Sequence, residues 1–162
     1  MSATSAIWKR IELETTPSQG YGEDLKRLQA LPPGFSYCFA FRYVDADICN
    51  GGFSQLYANS TWPLTLSAYH AAVQAEAPEV ARVLKEAIFY YHRAGRSRFK
   101  RQLSETFFDD LPKAWDKSLS QLDDEYYALD GERSQVEPNL MRRQVELFDS
   151  PSNTSLERTR GR

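Results

Sequence analysis

Two adjacent glycines, Gly51 and Gly52, interrupt a stretch that otherwise has the apolar spacing of a continuous helix. A glycine inside a helix costs about 1 kcal/mol against alanine. Two together, with Asn50 before them and Gln55 and Asn59 after, predict a sharp bend at which backbones approach closely. Before the bend Cys38, Phe41, Val44 and Ile48 recur at three- and four-residue intervals, the mark of a buried helical stripe. After it Phe53, Leu56 and Tyr57 keep that period.

The rest of the chain reads as helix of the same kind. A short helix carrying Leu25 and Leu28 stops at Pro32-Pro33-Gly34. Ser60, Thr61 and Pro63 predict the cap and first turn of a helix running to about Glu76, whose Ala68, Ala71, Ala72 and Ala75 let a neighbour pack closely. Pro78 opens the most regular pattern, Val80, Val83, Leu84, Ala87, Ile88 and Tyr91. Asp110 and Pro112 predict the start of another helix, with Leu111, Trp115, Leu119, Leu122, Tyr126 and Leu129 along one seam and Gly131 as its stop. A last helix near Pro138 carries Leu140, Met141, Val145 and Phe148 inward. No alternating strand pattern of useful length and no internal repeat is present. The expectation is an all-α protein, a single domain of six or seven helices over residues 21–150. An amino-terminal extension (1–20, with Trp8, Ile11 and Leu13 able to pack) and a disordered tail (151–162) flank it.

Composition narrows the functional classes. A net charge of −2 implies no general affinity for nucleic acid or anionic membranes, and no run nears the ~20 apolar residues of a membrane span. Two cysteines and two histidines cannot supply a zinc-finger pattern, so Cys38 and Cys49 read as free thiols of a cytoplasmic protein. No nucleophile motif or phosphate loop is present, and no cofactor is expected.

Charge is segregated locally. Between Ser104 and Arg133 nine carboxylates face three basic residues, and Asp109, Asp116, Asp123 and Asp130 lie seven apart. On one helix that spacing drifts only ~20° per step, so Asp116, Asp123 and Asp130, widened by Asp124 and Glu125, would form a charged row. Such a row could attract a basic DNA-binding surface; it could equally be a solvated face in which Lys113 and Lys117 pair locally. The basic cluster His92, Arg93, Arg96, Arg98, Lys100 and Arg101 around Phe99 reads as a solvated connector, with nucleic-acid binding as its less favoured reading. His70 and His92 read as structural. Gln55 and Asn59, four apart, share a helix face. With Asn50 they either tie the bend by satisfying freed backbone groups or form a polar pocket for a peptide or small ligand.

The run from Asn50 to Ser60 resembles the signature N-G-G-F-x-Q-[aromatic or Leu]-aromatic-x-N-S of a bacterial DNA-mimic-protein-like family, first characterised through a neisserial member. Leu122-Asp123-Asp124-Glu125-Tyr126-Tyr127 is similar to that family's L-D-x-x-[FY]-[FY] stretch, and the likeness covers roughly residues 22–148. The resemblance implies an all-helical domain without known catalysis. It also implies a dimer whose acidic side chains stand in for DNA phosphates on a helix-turn-helix repressor. The chain departs from the strong acidity on which mimicry depends. The expected function is a non-enzymatic protein-interaction module that engages a DNA-binding regulator through Asp116, Asp123, Asp124, Glu125 and Asp130, with a homodimer as an open alternative. The second reading is a ligand pocket, or an enzyme, built on the signature residues Asn50, Gly51, Gly52, Phe53, Gln55 and Asn59.

Overall fold

The bend dominates the architecture. In a computed structural model, which describes residues 3–15, 20–59, 61–94, 113–143 and 147–148, the apolar segments on either side of the glycines form one bent element, α3 (Pro33–Ala58). Around it lie α1 (Ala3–Glu14), α2 (Tyr21–Leu28), a 3-10 turn (Trp62–Leu64), α4 (Thr65–Gln74), α5 (Pro78–Ala94), α6 (Lys113–Tyr127), the single turn α7 (Asp130–Arg133) and α8 (Val136–Arg143). Among the described residues the fold is all-α, with seven helices of two turns or more and no strand.

The packing follows the apolar periods. Cys38, Val44 and Ile48 before the bend, and Phe53 and Leu56 after it, have no exposed surface. Against them α4 lays Ala68, Ala71 and Ala72, with Ala75 just past its end, all fully buried, and among the described residues this pair makes the most extensive helix contact. The absence of bulk on that face lets the two backbones close up. Val80, Val83, Leu84, Ala87 and Tyr91 of α5 are buried as expected, while Ile88 is only half-buried. To the same core α6 contributes Leu119, Leu122 and Tyr126, and α8 contributes Leu140 and Met141.

Several local expectations are revised. Thr61 does not cap a helix: no side-chain cap bond is made at that turn, and its hydroxyl goes to Asp47 instead. Gly131 does not end the long acidic helix, which stops at Tyr127; the glycine lies inside α7. Asp130 therefore sits beyond the helix that carries Asp116 and Asp123, and the seven-residue row does not run along one axis. The last helix begins at Val136, before Pro138. In the amino-terminal segment, α1 buries Ile11, and Trp8 lies under the Arg42 guanidinium 3.2 Å from the ring centroid, whereas Leu13 is exposed. The expected helix start at Asp110 and Pro112, the basic cluster beyond His92, Val145, the tail 151–162 and the side chains of Lys113, Trp115, Asp116 and Lys117 lie outside the described residues.

Candidate functional site

The two glycines bend α3 differently. Gly51 (φ −160°, ψ 26°) is extended in φ, which any residue adopts. Gly52 (φ +71°, ψ −174°) lies in a region essentially restricted to glycine. There is also no room for a side chain: a Cβ on Gly52 would lie 2.7 Å from both Cγ and Oδ1 of Asp123. The bend starts a new helix at Phe53, whose first amides have no intrahelical partner. Asp123 supplies one, its Oδ1 accepting the Phe53 N–H at 2.7 Å. A carboxylate at a helix N-terminus also meets the positive end of the helix dipole.

One turn along α6, Tyr127 serves the other side of the bend. Its hydroxyl donates to the Ile48 carbonyl at 2.9 Å and also faces the Gly52 backbone amide, so it is inserted between two groups that would pair in a continuous helix. Burial, then the Asp123 charge, raises its pKa, so it remains a donor. Between these two residues Tyr126 points inward. Its ring meets Phe53 edge-on at 5.6 Å, and its hydroxyl donates to Asp45 Oδ1 at 3.0 Å. Thus Asp123, Tyr126 and Tyr127 clamp both halves of α3 from a single helix face.

Asp45 also accepts from Arg133 Nη1 at 2.7 Å, and Arg133 Nη2 reaches Asp130 at 3.1 Å. Arg133 is only 8% exposed and its guanidinium lies 5.0 Å from the Tyr126 ring centroid. Burial opposes its charge, but the hydrogen bond and attraction of Asp45 outweigh that and hold its pKa above the usual arginine value.

The amide cluster converges on Asp47, half-buried in the first half of α3. Asp47 Oδ1 accepts from Asn59 Nδ2 at 3.0 Å and from Gln55 Nε2 at 3.4 Å, and Oδ2 accepts from Thr61. Asn50 Nδ2 donates to Gln55 Oε1 at 3.2 Å. The amides thus bond one another and a carboxylate, while Asp123 and Tyr127 meet the freed backbone groups. Amides held this way bear no acid, base or nucleophile.

The acidic residues take unequal places. Asp123 faces the bend, Asp130 meets Arg133, and Glu125 shares Arg82 with Glu79 and Glu86 at 2.9–3.0 Å. The hydrogen bond from Arg82 lowers the Glu125 pKa, with Gln121 helping. Glu132 accepts the Glu79 and Val80 amides at 2.9 and 3.1 Å and so caps α5. Asp124 is exposed outside these pairs. Between α5 and α6 runs an open notch of about 220 Å³ lined by Glu86, Tyr90, Ser118, Gln121, Leu122 and Glu125. Small-ligand pockets usually exceed ~300 Å³. Among the described residues no group of carboxylates, cysteines and histidines is arranged to hold a metal, and no helix is long and apolar enough to cross a membrane.

Sequence reasoning singled out Asp123 but not its cap, and missed Asp45, Asp47, Arg82, Tyr127, Glu132 and Arg133 as members of these networks. Most of their partners are distant in sequence, up to 88 positions for Arg133 and Asp45, and no local spacing signals those. The helical spacing of Arg82 with Glu79 and Glu86, and of Arg133 with Asp130, is the signal that could have found the rest. No curated protein and no solved structure matches the chain. A family model described as DMP19-like protein matches residues 29–145, a span that contains the bend, α5, α6 and their contacts. With most of its length inside that match, the chain belongs to the DMP19-like family.

Proposed function

We propose that this protein is a non-catalytic interaction module that binds a basic, DNA-binding partner through the carboxylates of α5 and α6. The observation that carries the proposal is the composition of that face. Glu79, Glu86 and Glu125 surround one arginine, Arg82, leaving an excess of negative charge beside exposed Asp124. Exposed carboxylates keep their hydration until a partner arrives, and complementary charge speeds and orients the encounter. Family membership supports the same direction. The site of action is proposed to be the cytoplasm, where Cys38 and Cys49, both free, would remain reduced.

The geometry determines which variants test this reading. Asp123→Lys would remove the cap at Phe53 and disturb the bend, so a lost interaction would be uninformative. Asp124→Lys and Glu86→Lys alter the face without touching that bond, and Asp116→Lys extends the test along α6. The experiment is capture from host lysate at low salt, with the retained protein identified by mass spectrometry. A DNA-binding protein retained by the parent chain, released by moderate salt and lost in the Asp124→Lys, Glu86→Lys double variant is the expected outcome. Equal retention by the double variant overturns the acidic-face reading. The pocket reading is not favoured, because Asn50, Gln55 and Asn59 bond within the protein.

A further inference from the structure

We infer that Asn50 is a site of spontaneous covalent modification, closing on the Gly51 amide to a succinimide that opens to aspartate or isoaspartate. The chain has four asparagines, at positions 50, 59, 139 and 153, and only Asn50 precedes a glycine. With no Cβ on the following residue, its backbone nitrogen can approach the side-chain carbonyl carbon closely. The structure adds two conditions. Asn50 and Gly51 are both exposed, and the regular helix ends at Gly51, whose φ of −160° departs from helical geometry. By contrast, Asn139 is only partly exposed within regular helix, where its side chain donates to the Ala75 carbonyl.

The chemistry needs only water. The Gly51 nitrogen bonds to Asn50 Cγ, the Cγ–Nδ2 bond breaks, and the amide nitrogen leaves as ammonia with the Gly51 N–H proton as its third hydrogen. Hydrolysis of the ring at one carbonyl restores an aspartate linkage, and at the other routes the main chain through the side-chain carbonyl. Both products lose the Asn50 Nδ2 donor to Gln55 Oε1 and add a negative charge one turn from Asp47; in aspartate the new carboxylate stands opposite Gln55 Oε1, in isoaspartate it is carried on Cα. The isoaspartate form also adds a carbon to the main chain two bonds' reach from the bend, where Phe53 N must remain 2.7 Å from Asp123. Modification at Asn50 therefore loosens the junction between α3 and α6.

The test is to hold the full-length folded chain at mildly alkaline pH and follow each asparagine by peptide mass spectrometry, with enzymatic methyl labelling to mark isoaspartate. The denatured chain serves as the reference. Conversion at Asn50 several-fold faster than at Asn59, Asn139 or Asn153 is the expected result, as is a lower melting temperature for Asn50→Asp. Gly51→Ala should slow conversion to the level of the other sites; its Cβ meets chiefly the movable end of Gln55. An Asn50 that stays intact in the folded chain while the denatured chain converts overturns the inference. Conversion no faster than at Asn59 does so equally.

Discussion

At the scale of single residues, Asp123 and Gly52 constrain each other. The carboxylate can approach Phe53 N because position 52 has no side chain, and the backbone at 52 can hold φ +71° for the same reason. Asp123→Ala should lower stability by about 1–3 kcal/mol, the cost of losing a charged acceptor from a helix N-terminus. Asp124→Ala, one residue along but exposed, should change it by less than ~0.5 kcal/mol. Urea unfolding of both variants checks the contrast, and equal effects would show that Asp123 does not cap the bend. Gly52→Ala should destabilise more than Gly51→Ala in the same assay. The first meets both an unfavourable φ and the Asp123 carboxylate, the second the Gln55 side chain at an ordinary φ. The double glycine made a bend legible in the sequence, and the Gln55/Asn59 spacing made a shared face legible. Asp47, which holds those amides, was not legible, because only folding brings positions 47, 55, 59 and 61 together.

At the scale of elements, α6 does two things with one sequence. Its inward residues Leu119, Leu122 and Tyr126 pack into the core, and Asp123 and Tyr127 hold the two halves of α3. What remains for a partner is the outer side, with Asp124 and Glu125. The periodicity of apolar residues revealed the helix; the same periodicity could not separate a carboxylate aimed at a backbone amide from one aimed at water. The start of α3 shows a second close approach. A Cβ at Gly34 would lie 2.7 Å from the Phe148 ring and 2.8 Å from the Leu147 carbonyl oxygen, while Phe35 meets Phe148 edge-on at 5.3 Å. Gly34→Ala should therefore cost about 1–3 kcal/mol through overpacking. Truncation before Leu147 should abolish most of that difference. A thermal-melt comparison of the four chains checks this; an undiminished cost after truncation would place the clash elsewhere.

At the scale of the whole molecule, buried groups that cannot ionise define the alkaline limit of the fold. Burial pushes the Cys38 thiol from 9.0 up to about 12, and burial likewise holds Tyr57 and Tyr126 well above 10.0. Unfolding frees these groups to ionise at their ordinary values. Their contribution is thus complete below about pH 9 and declines as pH rises toward about 12, at up to ~1.4 kcal/mol per pH unit for each group. Urea midpoints should fall across that window, and midpoints that stay constant through it would show that Cys38, Tyr57 and Tyr126 are not buried as described. The sequence by itself determined that this chain is all-α, where its main apolar stripes run, and that its longest apolar stretch bends at the double glycine. Those properties depend on local spacing and on intrinsic backbone preference. Only the tertiary structure decided which carboxylates remain for a partner. Asp45, Asp47, Asp123 and Glu132 are drawn into the fold by amides, hydroxyls and a guanidinium that reach them only once the helices have packed.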